Sequence, residues 1–424
     1  MGGEVMFIMM FVLLMLGTPI FAAIGVTGML AIILGGTSSL TLVPQRMLVG
    51  LDSFPLLAII FFMIAGELML FGGLSKRLVR VTMYFMAGFR GSLMLVSIIT
   101  CAMFGMLTGS SLATTVAVGR VMYPEMVKDG DYDKGFSITI QAVGGTLGML
   151  IPPSTAVVIF GMLTNTSIVS LFQAILFPGI VCTILYCLCG YIIVRKRNMA
   201  VNQQVVKREN GFKLFMDAFW ALLTPVIILG GIYSGIFTPT ESAAIACLYA
   251  FVVGKFIYKE MTFKHVYRAF ATATISCSGI MFLVSTATLF SHVLTRLGFA
   301  ERIANMLTEA ITSPVTFLLL VNVVFLIAGM FIDITSIQLL FIPLILPTAS
   351  ALGVNMIHFG AMVCANLCLA TITPPFGAGM FVANTLDKSV KIETIFKEIL
   401  PFCVTGVIGT LVIIFVPILS TWML

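Results

Sequence analysis

Four small groups of oxygen-bearing residues interrupt an otherwise apolar sequence. The first is Ser110, Ser111, Thr114 and Thr115, just after Thr108-Gly109. The second is Ser154 and Thr155, which follow Pro152-Pro153, with Gly145 ahead of them. The third is Asp333, Thr335 and Ser336, with Gly329 ahead. The fourth is Asn366, Thr371 and Thr373, which lead into Pro374-Pro375. Hydroxyls, an amide, a carboxylate and the carbonyls freed where a helix stops are hard oxygen donors. Such sets suit an alkali cation such as sodium and do not suit a transition metal, which takes imidazole or thiolate. Each hydroxyl taken alone has a second reading, a bond back to its own helix. Four clusters at four chain breaks are what point to a site.

Asp333 is the sharpest single residue. A carboxylate at membrane depth costs roughly 2.5–3.5 kcal/mol and is functional by default. No basic residue lies near it in sequence, so its partner is expected to be a bound cation or a proton; the alternative is snorkelling at a hairpin mouth. Glu241 follows Thr238-Pro239-Thr240 and reads as a carboxylate at a helix N-terminus. Glu67 is expected to pair with a partner subunit or with Arg46. The nine Cys all lie in apolar stretches and read as small buried hydrophobes. Cys364 and Cys368 complete no zinc pattern. The three His are scattered and carry no assigned chemistry.

The elements that hold these residues must lie in a bilayer. Of the 424 residues 60% are hydrophobic and 9% charged, against about 25% charged in soluble domains. Mean hydropathy is +1.14. A soluble enzyme, a disordered chain and a nucleic-acid binder are excluded, because the net charge of +6 sits on loops and forms no basic tract. Residues 4–36 are apolar and start with Glu4 rather than a basic residue, so they read as retained membrane structure rather than a signal peptide.

Twenty of the 23 Lys and Arg fall in five clusters, at 73–90, 120–134, 195–213, 255–268 and 388–397. Cytoplasmic loops carry the basic excess. All five clusters share that side only if 91–123 enters and leaves from one face. That makes 91–127 a re-entrant hairpin with its tip at 108–115. Residues 313–350 repeat the logic from the outside, with a tip at 333–336. Ordinary pairs of short spans are the other reading. The remaining segments give ten crossings with both termini outside. The arms 73–88 and 296–311 are amphipathic and read as interfacial levers.

The chain also repeats itself. Thr18-Pro19 returns as Thr238-Pro239, Gly73 as Gly298, Gly105-Met106 as Gly329-Met330, Pro152-Pro153 as Pro374-Pro375 and Pro178 as Pro401, at shifts of 220–225. Five crossings separate matching elements, so the halves are inverted. Inverted repeats with broken helices at matching places mark a secondary transporter. A restarted helix presents free N–H groups that attract anions, and irregular backbone at this depth is tolerated where it lines a cavity. The expected fold is therefore an all-α polytopic membrane protein, in parts: scaffold 1–72, arm 73–90, transport part 91–194, cytoplasmic loop 195–216, scaffold 217–293, arm 294–312 and transport part 313–424. No Gly-x-x-x-x-Gly-Lys-Ser/Thr phosphate loop occurs, so an ion gradient must drive it.

Several stretches together resemble one family, the large (M, DctM-like) membrane subunit of tripartite ATP-independent periplasmic (TRAP) transporters. They are Phe62-Met63-Ile64-Ala65-Gly66-Glu67, Gly72-Gly73-Leu74-Ser75-Lys76-Arg77, Leu107-Thr108-Gly109-Ser110-Ser111-Leu112-Ala113-Thr114, Ile151-Pro152-Pro153-Ser154, Gly235-Ile236-Phe237-Thr238-Pro239-Thr240-Glu241 and Thr373-Pro374-Pro375-Phe376-Gly377. Thr108 and Leu369-Ala370-Thr371 are mild departures, which bear on substrate identity. The resemblance implies an elevator-type fold in the bacterial inner membrane and sodium-driven uptake of a small organic acid: a C4-dicarboxylate, a sialic acid or a sugar acid. It implies two partners besides the bilayer, a small four-helix membrane subunit and a periplasmic binding protein. It also implies one sodium site at Ser110, Ser111, Thr114, Gly145, Ser154 and Thr155. A second falls at Gly329, Asp333, Thr335, Ser336, Thr371 and Thr373. The substrate would sit between the tips, near Ser110, Ser154, Asp333, Asn366 and Thr373. Three other readings compete: a stand-alone anion:sodium symporter, a channel, and an intramembrane enzyme. The enzyme lacks a Gly-x-Ser-x-Gly or His-Glu-x-x-His motif.

Overall fold

A computed structural model describes residues 2–35, 39–86, 88, 91–129, 131–199 and 211–423. Arg90, Lys207 and Arg208 of the basic clusters lie outside the described residues. The described chain forms twenty α-helices and two short π-helical segments, with no strand among them. Seven helices are long and apolar enough to cross a bilayer, and the bent pair Lys134–Leu150 and Thr155–Thr164 makes eight.

Ser92–Thr108 and Ser111–Pro124 form the first hairpin, and Pro314–Gly329 and Ile334–Ala351 the second. Three of the four, with 17, 14 and 16 residues, extend about 21–26 Å at 1.5 Å per residue, short of the ~30 Å hydrocarbon core; Ile334–Ala351, with 18, is one of the seven long enough to cross. Each hairpin is followed by a broken helix. Lys134–Leu150 stops and Thr155–Thr164 restarts at a 40° bend. Met356–Ala370 stops and Ala378–Asn384 restarts. Both Pro-Pro peptide bonds are cis. The first proline of each pair biases the residue before it out of the helical region, and both lack the N–H that would continue the ladder. Pro178 and Pro401 instead lie inside unbroken helices, Ile168–Lys196 and Ile392–Phe415.

Repeat-related helices of the two halves pack on each other. Phe263–Arg296 is one helix of 34 residues. Its counterpart in the first half is split into Leu42–Leu51 and Phe54–Phe71. Pro55 at the start of the second piece removes the N–H that would bond back across the split. The Phe71 ring stacks on His265 at 5.2 Å, while the Ser285 hydroxyl donates to the Met47 carbonyl at 2.9 Å. From Met47 on the first piece to Phe71 on the second, partner numbers fall from Ser285 to His265, so the split counterpart as a whole runs opposite to the long helix.

The arms sit at opposite ends of that pair. Leu74–Met86 is anchored by Arg77, whose Nη1 donates to Glu260 at 2.7 Å and Nε to Asp217 at 3.2 Å. Its guanidinium also lies 3.6 Å over the Tyr258 ring. Its side chain is 14% exposed and ties the arm to Asp217 and Glu260. Phe299–Ala310 holds the other end, with Phe299 against Phe7 and Arg302 3.7 Å from Glu4. Each arm then packs on the hairpin that follows it. Glu67 does not meet Arg46. Arg46 lies beside the far end of Phe263–Arg296, and the charge facing Glu67 belongs to Arg120 of the first hairpin.

The two halves of the chain interlock around the hairpins and broken helices. Ser111–Pro124 rests on Ala378–Asn384, and Ile334–Ala351 rests on Thr155–Thr164. At one end Tyr123 donates to Asp387 at 2.7 Å, Lys134 reaches the same carboxylate at 3.2 Å, and Arg197 meets Glu398 at 2.7 Å.

Candidate functional site

The first tip is set by Gly109, whose φ of +59° only glycine adopts without strain. The turn aims the Gly109 carbonyl at the restart of the broken helix. Thr155 donates to it twice, from its backbone N–H at 3.3 Å and its hydroxyl at 3.2 Å. Ser110 caps the second hairpin helix by accepting from Ala113 N–H at 3.4 Å. Behind the tip, the Thr108 and Thr114 hydroxyls share a hydrogen bond of 2.9 Å. Thr115 bonds back to Ser111 at 2.9 Å. The Ser111 and Ser154 hydroxyls are buried without a partner.

Glycines let these layers meet. A Cβ on Gly105 would lie 2.6 Å from the Gly148 Cα, so the first hairpin helix and the broken helix touch backbone to backbone. Gly145 faces Thr115, and Gly148 faces Thr114 and the Ser110 carbonyl. Ser110, Ser111, Thr114, Gly145, Ser154 and Thr155 are thus brought to one place. The sequence reading omitted Thr108 and Gly148 from the site. The Gly144-Gly145-x-x-Gly148 spacing was the available signal for the latter.

The second tip is built differently. Asp333 caps its helix and accepts from Ser336 N–H at 3.1 Å and from the Ser336 hydroxyl. The carboxylate is exposed on the surface of the chain, and Thr335 stands beside it, half-buried. Phe331 of the tip packs on Phe376 of the break at 5.8 Å, an aromatic bridge that residue typing did not flag. Gly329 packs against Ala370. The Thr371 hydroxyl donates to Cys368 at 2.7 Å and that of Thr373 to Leu369 at 3.0 Å. Both hydroxyls therefore bond back to their own helix. The Thr371 carbonyl accepts from Gly379 at 2.9 Å. Asn366 is fully buried, donating to the Asn322 carbonyl at 2.8 Å with its own carbonyl oxygen unpartnered. No hydrogen bond among the described residues joins Asp333 or Ser336 to Thr371 or Thr373.

Among the described residues no group of three or more His, Cys, Asp or Glu could hold a metal. The orphaned hydroxyls of Ser111 and Ser154, beside tip carbonyls, are the donor set an alkali cation takes.

The family model for the tripartite ATP-independent periplasmic transporter DctM component matches residues 7–419. The chain belongs to the DctM family. The C4-dicarboxylate TRAP transporter large permease protein DctM of Vibrio cholerae is 35% identical over 451 residues, covering 100% of this chain and 97% of that one. The sialic acid large permease protein SiaM of the same organism is 33% identical over 92% of this chain and 91% of its own. The chain spans 65% of the Haemophilus influenzae sialic acid permease SiaT, at 32% identity. Of solved structures, the Alcanivorax borkumensis YdaH transporter aligns with a TM-score of 0.64 at 16% identity, over 89% of this chain and 87% of that one. The likeness to YdaH is one of fold. As a DctM component the chain is a TRAP permease subunit for solute uptake, a multi-pass protein of the bacterial inner membrane and not an enzyme.

Proposed function

We propose that this DctM component takes up a small organic acid, such as a C4-dicarboxylate, sialic acid or sugar acid, driven by sodium. The tie between Thr155 and the Gly109 carbonyl carries the reading: it closes a re-entrant tip onto a helix restart beside two orphaned buried hydroxyls. One sodium ion is held by the Ser110–Thr114 turn with Ser154 and Thr155. Its repeat-related partner is held by Asp333, Thr335 and Ser336 with the carbonyls around Thr371 and Thr373. The substrate carboxylate binds between the tips, where restarted helices supply free N–H groups. The hairpins and broken helices then slide against the scaffold, with the arms as levers.

Each sodium charge crossing 100 mV supplies roughly 2.3 kcal/mol. Two sodium ions with a monovalent anion such as a sialic acid move one net charge inward, so that uptake responds to membrane potential, whereas with a dianionic C4-dicarboxylate the same two ions move none. A periplasmic binding protein delivers the substrate, and a small four-helix subunit widens the scaffold. The test is uptake into liposomes holding this chain and its partners, with sodium or potassium outside. Equal rates in the two salts would overturn sodium coupling.

A further inference from the structure

Gln141 and Asn366 are fully buried amides, and each joins the first arm of a hairpin to the helix that breaks after it. The Ser97 hydroxyl donates to the Gln141 Oε1 at 2.8 Å, and the Asn366 Nδ2 donates to the Asn322 carbonyl at 2.8 Å. Both bonds span 44 residues. The second pair lies 225 residues after the first, the shift that also relates Gly73 to Gly298. Ser97 stands 11 residues before Thr108, and Asn322 stands 11 before Asp333. Each bond is therefore about 16 Å from its tip at 1.5 Å per residue. Gln141 reaches the end of the other arm too. Its Nε2 donates to the Met126 Sδ at 3.4 Å, and a Cβ on Gly119 would stand 3.4 Å from its Cγ. In the second half that link comes from Gln338, whose Nε2 lies 3.9 Å from the Cys364 Sγ.

A leucine at either position would fill the space with no polar group to satisfy. What the amide adds is a directional bond, and the packing nearby leaves a use for one. Between bond and tip the helices meet through Gly105 and Gly148 in the first half and through Gly329 and Ala370 in the second. Small residues let backbones approach, but they raise no ridge that resists sliding. At the first tip the Gly109 carbonyl is already tied to Thr155. A second fastening at the base fixes the height and rotation of the arm. Binding constellations tolerate only about 0.5 Å of displacement. We infer that Gln141 and Asn366 are positioning residues, repeat-related pins that hold the base of each hairpin to its broken helix and so keep tip and break in register. Asn366, expected beside the substrate, thereby acts through the backbone of Asn322. The sodium arm of the test rests on the uptake reading above; the exchange arm does not.

The experiment measures backbone hydrogen exchange by mass spectrometry on the full chain in lipid nanodiscs, together with unfolding temperature and sodium titration of uptake. In Gln141→Leu, residues 105–115 should exchange about tenfold faster, with 329–337 as in wild type; Asn366→Leu should do the reverse. The half-saturating sodium concentration should rise about tenfold or more in each, the loss typical when a group supporting a metal ligand is removed. Asn322→Ala keeps the accepting main-chain carbonyl and should leave tip exchange unchanged. Replacing both partners of a buried bond by apolar groups is nearly neutral for stability. The double variant Ser97→Ala, Gln141→Leu should therefore regain unfolding temperature while its first tip stays unprotected. Tip exchange equal to wild type in both leucine variants would overturn the pins. So would faster exchange spread evenly over both hairpins, or a double variant that regains tip protection along with stability. If wild type takes up its substrate equally in sodium and potassium, the sodium reading falls, and the exchange pattern alone decides for or against the pins.

Discussion

Adding one methyl group at Gly148 should loosen sodium binding more than it damages the fold. The new Cβ would stand 2.6 Å from the Thr114 Cβ and 2.9 Å from the Ser110 carbonyl oxygen. Ordinary carbon contacts need about 3.5–4.0 Å, so Ser111–Pro124 must retreat by about 1 Å. Overpacking of this kind costs about 1–3 kcal/mol. Binding constellations tolerate only about 0.5 Å of displacement, so the first sodium site loses its carbonyl and hydroxyl geometry. The half-saturating sodium concentration for uptake should rise about tenfold or more, equivalent to about 1.4 kcal/mol. Gly230→Ala is the control: a Cβ there meets nothing within 4 Å, and alanine in a helix gains about 0.5–1 kcal/mol over glycine. Sodium titrations of uptake and unfolding temperatures of both variants are the assays. A destabilised Gly148→Ala protein with unchanged sodium dependence would show that Ser110 and Thr114 hold no cation. An undamaged Gly148→Ala protein would show that the helices are not in contact there.

Thr155→Val removes the hydroxyl bond to Gly109 and should cost about 1 kcal/mol together with sodium affinity, while Thr155→Ser should restore both in the same titration. Asp333→Asn keeps a capping oxygen but loses the charge, so uptake should fall with little change in unfolding temperature; Asp333→Ala should also lose about 0.5–2 kcal/mol of capping. Arg77→Gln leaves Asp217 and Glu260 facing each other and should destabilise by about 1–3 kcal/mol, read as a drop in unfolding temperature; an unchanged value would mean the arm is held by packing alone. Hydrogen bonds from Ser389, Tyr123 and Lys134 hold the Asp387 carboxyl well below the usual carboxylate range. A depressed pKa stabilises above the unfolded value, near 3.9, and that stability is lost as pH falls through the folded one. The stability gap between wild type and Asp387→Asn should therefore be full at neutral pH and shrink below about pH 4.

What could be read in advance followed from backbone chemistry. Prolines, glycines and short polar turns announce where a helix must stop, so both hairpin tips, both breaks and the repeat were visible. Thr238 and Glu241 likewise form the capping box that their spacing suggests. Partners far apart in sequence were not visible. Arg77 finds Asp217 and Glu260 at separations of 140 and 183 residues, and nothing local marks that. The pairing of Glu67 with Arg46 failed for the same reason, since an apolar helix does not reveal which end its charge faces. The short helix Leu42–Leu51 was not legible as a membrane element because its ten residues include a proline, a glutamine and an arginine. Thr371 and Thr373 were read as free ligands, yet their hydroxyls bond back to their own helix, a choice set by rotamer and not by residue type.

The interlocking of the two halves has a consequence for how the protein is made. The second helix of the first hairpin finds its support on Ala378–Asn384, about 260 residues later in the chain. At about 5–20 residues per second, the ribosome reaches that support only some tens of seconds after the hairpin has emerged. Until then the Gly119–Tyr123 end of that helix lacks Leu386 and Asp387 to pack on. A ribosome stalled before residue 378 would leave that end of the hairpin open to lipid, to membrane chaperones and to quality-control proteases.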